Sequence, residues 1–219
     1  MSEKINKMII CPKCSEKSEA ELICSMNNKS FPDMKKIIFG DKFFEWQCPK
    51  CGFQSKLLHP LLYNDMEKRF MVYYIPDAKR KIIADEKLEK EFSELSHIKK
   101  RLVSDVNEFR EKIAILDAGA DDMAVELAKY AVERIVEKSA NKKVMSGYFL
   151  DMDKSENTIS FHFFVGNENR PYIQTTRLEV YNRSVGIVKE YFEGFDKQSG
   201  FIKIDREWAK EAWKIYKNS

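Results

Sequence analysis

Two copies of one cysteine tetrad constrain this chain more than any other feature. Cys11-Pro12-Lys13-Cys14 and Cys48-Pro49-Lys50-Cys51 share the same internal Pro-Lys, with 33 residues between Cys14 and Cys48. A Cys-x-x-Cys turn aims two sulfurs at one point. Proline at its second position fixes φ and removes a donor, so the remaining N–H groups can turn toward the sulfurs. Gly52 follows the second pair, where such a knuckle needs φ > 0; Ser15 takes that place after the first. Two knuckles supply four soft ligands, which suits a closed, tetrahedral, structural zinc site on Cys11, Cys14, Cys48 and Cys51. A redox pair would need a Cys-x-x-Cys at the start of a helix after a strand. Ser15-Glu16-Lys17-Ser18-Glu19 lacks an apolar stripe, and Gly52-Phe53-Gln54-Ser55-Lys56 reads as a strand. Mononuclear iron uses similar knuckles and is the alternative metal. Cys24 reads as a small buried hydrophobe, and His59, before Pro60, as a structural loop residue.

The compartment expected is the cytoplasm, where thiols stay reduced. Met1-Ser2-Glu3-Lys4-Ile5-Asn6-Lys7 has no apolar signal core, and no apolar run approaches the roughly 20 residues of a membrane span. Apolar residues are 43% of the 219, enough for a sizeable core. The net charge of +3 is uneven. Residues 1–81 carry 15 basic and 10 acidic side chains, and the remainder 23 and 25. The basic part also holds Phe43, Phe44, Trp46, Phe53 and Phe70, a pattern compatible with stacked nucleotides. Its lysines are scattered rather than striped, which favours a merely solvated surface.

Segment 19–26 reads as a strand, 31–40 as a short helix with Pro32 and Asp33 in its first turn and Gly40 as its stop, and 42–47 as a strand entering the second knuckle. Segments 53–58 and 69–75 are further strands, with Asn64-Asp65 as a turn between them. Strand–knuckle–strand units around one metal are the zinc-ribbon plan, here with a helix inserted. The run Cys11–Cys14, Phe43-Phe44-Glu45-Trp46-Gln47-Cys48-Pro49-Lys50-Cys51-Gly52, Pro60–Asp65 and Phe70–Tyr74 resembles the CpXC protein family. So does Asn107–Ile113 followed by Asp117–Asp122. The resemblance runs over residues 8 to 138 and implies the same four cysteine ligands. It implies no activity. Ser15 departs from the glycine common at that place.

Segment 78–100 is charge-dense and reads as a partly helical linker. Leu102, Val106, Phe109, Ile113 and Leu116 alternate steps of four and three, a helix over 98–116 stopped by Gly119. Asp121 or Asp122 caps a second helix over 122–138, with Met123, Leu127, Tyr130 and Ala131 inward, completing a helical hairpin. Asp117, Asp121, Asp122 and Glu126 could hold a cation or act as acid and base. With no partner histidine or phosphate loop, capping and dipole placement is the reading favoured. The helices are too long, and the second too acidic, for a DNA-reading pair. Strands follow at 145–151, 157–165 and 172–180, with Ile159, Phe161 and Phe163 on one face and Ser160, His162 and Phe164 on the other. Ser184 is placed as the cap of a helix through 193. Segment 201–204 is extended, and Asp205 caps a last helix with Trp208, Ala209, Ala212, Trp213 and Tyr216 on one stripe.

The class expected is α+β. A zinc-ribbon-like antiparallel β domain (1–78) precedes the charged linker (79–100). A helical hairpin with a small antiparallel sheet and helices follows (101–219). No catalytic constellation stands out. The function expected is a zinc-holding protein-interaction or scaffolding module with an unidentified protein partner, no membrane partner, and room for a homo-oligomer. Nucleic-acid binding is the first alternative, and an enzyme using the acidic group the second.

Overall fold

Short runs of β-branched and aromatic residues build most of the sheet structure, and capped amphipathic segments cover it. The computed structural model describes residues 3–28, 31–40, 42–79, 82–83, 98–168, 170–197 and 200–219. Its strands are β1 (Glu3–Ile10), β2 (Lys17–Asn27), β3 (Glu45–Gln47), β4 (Gln54–Lys56), β5 (Leu61–Asp65), β6 (Phe70–Tyr74), β7 (Ile82–Ile83), β8 (Lys99–Val103), β9 (Val144–Asp153), β10 (Thr158–Val165), β11 (Tyr172–Arg177) and β12 (Phe201–Ile202). Its helices are α1 (Met34–Phe39), α2 (Val106–Asp117), α3 (Asp122–Ala140), α4 (Glu179–Tyr191) and α5 (Arg206–Asn218). The fold is α+β. No helix among the described residues is long and apolar enough to cross a membrane.

Seven strands form one mixed sheet in the order β1-β2-β5-β6-β8-β12-β7. β1 and β2 are an antiparallel hairpin, whereas β2 meets β5 in parallel only over Ser25–Asn27. β6 and β8 are parallel, and β12 touches β8 at Ile202 and Arg101. Strands from 1–78, from 79–100 and from 101–219 therefore share one sheet, which crosses both boundaries drawn in the sequence. β3 and β4 form a separate two-stranded hairpin, and β11-β10-β9 a separate antiparallel sheet.

α3 is the centre of the second half. Val125, Ala128, Val132 and Val136 pack on Phe149, Ile159, Phe161 and Phe163 of the three-stranded sheet. Met123 and Leu127, on its other side, pack against Ile187 and Val188 of α4 and Trp208, Ala209 and Ala212 of α5. Asp121 caps α3 by accepting from Ala124 N–H at 3.0 Å, and Asp205 caps α5 through Trp208 N–H at 3.0 Å. As the alternation predicts, Ile159, Phe161 and Phe163 are buried while Ser160, His162 and Phe164 are half-exposed. Gly147 stands opposite Phe163, and a Cβ there would lie 2.5 Å from the Phe163 ring. That ring is fully buried, so it has no room to withdraw. Gly147→Ala is expected to cost about 1–3 kcal/mol by overpacking, read as a lower urea midpoint with unchanged slope.

Several boundaries differ from the sequence reading. Asn64-Asp65 is not a turn but the end of β5, with Asp65 paired to Phe70; the turn is Met66–Arg69, where Lys68 N–H donates to the Asp65 carboxylate at 3.0 Å. The helix placed over 98–116 starts only at Val106. Asp105 caps it, accepting from Asn107 and Glu108 N–H at 2.7 and 3.2 Å, and Lys99–Val103 before it is a strand held between β6 and β12. The third strand of the small sheet ends at Arg177, short of 180. Ser184 is no cap: α4 begins five residues earlier, and the buried Ser184 hydroxyl donates back to the Val180 carbonyl at 3.0 Å. The charged run Asp85–Glu91 lies outside the described residues.

Candidate metal centre

The two knuckles are built alike. Ile10 pairs with Lys17 at the mouth of the first and Gln47 with Gln54 at the mouth of the second. Cys11 N–H donates to Glu16 O at 2.9 Å, and Cys48 N–H to Phe53 O at 2.8 Å. Ser15 N–H returns to Cys11 O at 2.9 Å, and Gly52 N–H to Cys48 O at 3.0 Å. Ser15 has φ +59° and Gly52 φ +68°. Serine thus takes the left-handed conformation that glycine adopts freely, and the first knuckle keeps its geometry at a steric cost of about 1–2 kcal/mol.

The β1–β2 turn and the β3–β4 turn bring the four sulfurs together, all within 4.8 Å of one another. Cys11 and Cys51 are 3.6 Å apart, Cys14 and Cys48 3.7 Å. A tetrahedron with metal–sulfur bonds of about 2.3 Å spaces its sulfurs by about 3.8 Å. The donor set and its spacing therefore fit a metal ion. Cys11 and Cys48 are buried and Cys14 and Cys51 half-buried. Backbone N–H groups of Cys51 and Lys50 favour the Cys48 thiolate and lower its pKa to about 7, against some burial. At Cys14 the Glu16 N–H lowers the pKa, but burial and the neighbouring sulfurs prevail and push it up to about 12. Lys50 Nζ reaches Glu16 at 2.8 Å and ties one knuckle to the other. Its pKa is raised by that carboxylate.

Cys24 stays outside the cluster and is half-buried rather than buried. His59 is also outside it. Its Nδ1 lies 2.8 Å from Leu57 O and its Nε2 3.0 Å from Ile23 O, and its ring meets Phe44 edge-on. It thereby bridges β2, where β5 does not reach, to the segment after β4. Of the aromatics proposed for base stacking, Phe44 and Phe70 are core residues, only 6% and 2% exposed, and unavailable to a nucleotide.

The acidic group is dispersed among ion pairs rather than gathered on a cation. Asp117 binds Lys35 and Lys68, and Asp121 serves as the α3 cap. Asp122, wholly buried, pairs with Arg101 at 2.7 and 2.9 Å and with Lys112 at 3.2 Å. Burial alone would raise the pKa of Asp122, but Arg101, Lys112 and Lys99 hold it well below the usual carboxylate range. Glu126 meets Lys112 at 3.5 Å and Lys129 at 3.1 Å, yet its burial leaves its pKa raised. Lys129 also binds Glu111 at 2.7 Å, and Arg206 grips Glu133 through two nitrogens. The capping reading holds for Asp121 and misses this buried network. The signal was on α3: Asp122, Glu126, Lys129 and Glu133 form a charged stripe flanked by apolar residues on both sides. Such a stripe has no route to solvent and must be paired within the protein.

Paired hairpin knuckles closing four cysteines into one cluster define a metal-binding class of protein. The sequence model of the CpXC protein family matches residues 9–129, more than half of the chain, and the chain belongs to that family. No curated protein and no solved structure matches it.

Proposed function

We propose that the protein holds one structural zinc ion in a ribbon-type site and works as a non-catalytic protein-interaction module of the cytoplasm. Four thiolates complete a tetrahedral shell, so such a site has no coordination position for a substrate and contributes to folding instead. The observation that carries the interaction reading is a groove of about 430 Å³ between β2, the end of α1 and the β3–β4 hairpin. One wall is Ala20–Ile23 of β2; the other is Phe43, Phe44, Trp46 and Leu57 around the β3–β4 hairpin. Zinc fixes the second wall against the first, because the two knuckles are the turns of the hairpins that carry them. A protein segment with apolar side chains is the partner this groove fits.

Purified protein is expected to carry zinc at about one ion per chain by elemental analysis. Iron in its place would keep the ligands and change the metal. A photocrosslinker at Trp46 is expected to trap a discrete protein partner in cells, and the adduct should vanish when Ile23→Asp disrupts the opposite wall. Adducts indifferent to Ile23→Asp would refute the interaction reading while leaving the metal intact.

A further inference from the structure

The three-stranded sheet ends in β9 on one side and β11 on the other, and the two edges are finished differently. On β9, side chains from the helices take the backbone groups. Phe149 N–H donates to Glu111 of α2, Val144 N–H to Glu137 of α3 at 3.0 Å, and Val144 O accepts from Arg206 of α5 at 3.1 Å. No such helix covers β11 among the described residues. Tyr172, Ile173, Gln174, Thr175 and Arg177 are all exposed, Ile173 at 66%. We infer that β11 is a dimer interface. It pairs antiparallel with β11 of a second copy of this chain about a twofold axis at Thr175, and the two small sheets become one.

The ladder with β10 determines which backbone groups are free. Thr158 stands opposite Arg177, and one step beyond, Leu178 N–H donates to Asn157 O at 2.9 Å. Hydrogen-bonded and non-bonded pairs alternate along an antiparallel ladder. Thr176, Gln174 and Tyr172 are therefore bonded to β10, and Ile173, Thr175 and Arg177 turn their N–H and C=O groups outward. The Gln174 side chain agrees, because its amide donates to Thr175 O at 3.0 Å from the free side. Among the described residues it is the only side-chain partner of that edge. The outward groups match themselves. With the axis at Thr175, Thr175 faces its own copy and Ile173 faces Arg177 of the second copy. Each is a pair of the bonded kind, so every outward donor and acceptor is met and the Gln174 amide is displaced.

The devices that keep sheet edges apart are missing from β11. β1, at the edge of the large sheet, carries Lys4 and Lys7, and its register with β2 shifts between Glu3 and Lys4. Charge and irregular register both discourage edge-to-edge pairing. β11 runs in unbroken register with β10 from Tyr172 to Arg177 and contains neither lysine nor proline. Its one charge, Arg177, would lie beside Ile173 of the copy and not against a like charge. Tyr172, 44% exposed, and Ile173 point to opposite faces, so pairing shields apolar surface on both. Because the strand is complementary to itself under a twofold, the pairing needs no second sequence.

The test uses the full chain and is independent of the metal and of the groove beside β2. Sedimentation over a rising concentration series is expected to show a monomer passing to a dimer. Amide exchange by NMR should then alternate along the strand. Ile173, Thr175 and Arg177 should exchange slowly in the dimer and fast in the diluted monomer, whereas Gln174 and Thr176, bonded to β10, should be slow in both. Thr175→Pro removes an outward N–H and no bond to β10, so it should leave a monomer with a near wild-type urea midpoint. Ile173→Lys keeps every backbone donor, sets a like charge beside Arg177 of the copy, and should also leave a monomer. A monomer at every concentration would overturn the proposal, whether or not it captures an extended peptide instead. So would a dimer whose Ile173, Thr175 and Arg177 amides exchange as fast as the monomer's, or one that survives both substitutions.

Discussion

Cys48→Ala is expected to abolish metal binding and unfold the β3–β4 hairpin together with the knuckle end of β1–β2. The strands β3 and β4 have three residues each and form a two-stranded sheet of their own. A hairpin of that size does not persist in water without support. Its anchors to the rest of the protein include Phe44, packed on Tyr74, the Lys50–Glu16 ion pair between the knuckles, His59, which reaches the Ile23 carbonyl of β2, and the cysteine cluster. Structural zinc sites in small peptides contribute about 10–16 kcal/mol of apparent binding free energy, which is folding free energy. That is as large as the whole stability of a typical domain, about 5–15 kcal/mol. Chelation of the purified protein should reproduce the substitution. Trp46, on β3, gives the readout: its fluorescence should shift toward that of solvated indole. The core of α3 against the three-stranded sheet should survive, since none of its residues touches a knuckle, and far-ultraviolet circular dichroism should retain most of its helical signal. Unchanged Trp46 fluorescence and an unchanged urea midpoint after complete metal removal would show that the cluster does not hold the hairpin.

The four-cysteine cluster was legible because the spacing inside each Cys-Pro-Lys-Cys turn leaves its sulfurs little freedom. Cys-Pro-Lys-Cys can point its sulfurs in few directions, and two such turns leave few arrangements. The capped helices were nearly as legible. Asp121, Asp205 and the Gly119 stop are local, and each acts within four residues of where it stands. What failed were features decided by distant partners. Leu102 and Val106 fit a helical stripe, but Lys99–Val103 is a strand because β6 and β12 flank it. β5 was missed because Leu61, Leu62 and Tyr63 form a continuous apolar run with one polar pair at its end, and its pairing with β6 carries that pair into the sheet. The shared sheet could not be foreseen either. β12, 98 residues after the end of β8, returns to pair beside it through one bridge. The charged network lies between these cases. Its stripe on α3 is visible in the sequence, but the identity of the cations opposite it depends on where β8 and α2 are placed.

Asp122→Ala is expected to destabilise the protein by about 3–5 kcal/mol, the usual cost of removing one partner from a buried charge pair. The loss is large because of what remains. Among the described residues Arg101, 1% exposed, then keeps only Asp196 and the Lys100 carbonyl, and Lys112 keeps Glu126 and the Ile204 carbonyl. Arg101 is on β8, Lys112 on α2 and Asp122 on α3, so one carboxylate joins the large sheet to the helical layer. Asp122→Asn should cost less, because an amide keeps one acceptor oxygen for the guanidinium. The pH dependence follows from the sign of the shift. The folded-state pKa of Asp122 is depressed, so its contribution is complete above the unfolded value of about 3.9 and is lost as pH falls through the folded value. The gap in unfolding free energy between wild type and Asp122→Ala should therefore stay constant from about pH 5 to pH 8 and close below about pH 4. Glu126 and Glu133 have raised values, so their ionisation costs stability as pH rises through them, in both proteins alike. Subtracting one denaturation series from the other removes that common part to first order and isolates Asp122. A gap below about 1 kcal/mol at neutral pH, or one that widens in acid, would mean that the Arg101–Asp122 pair does not hold the sheet to the helices.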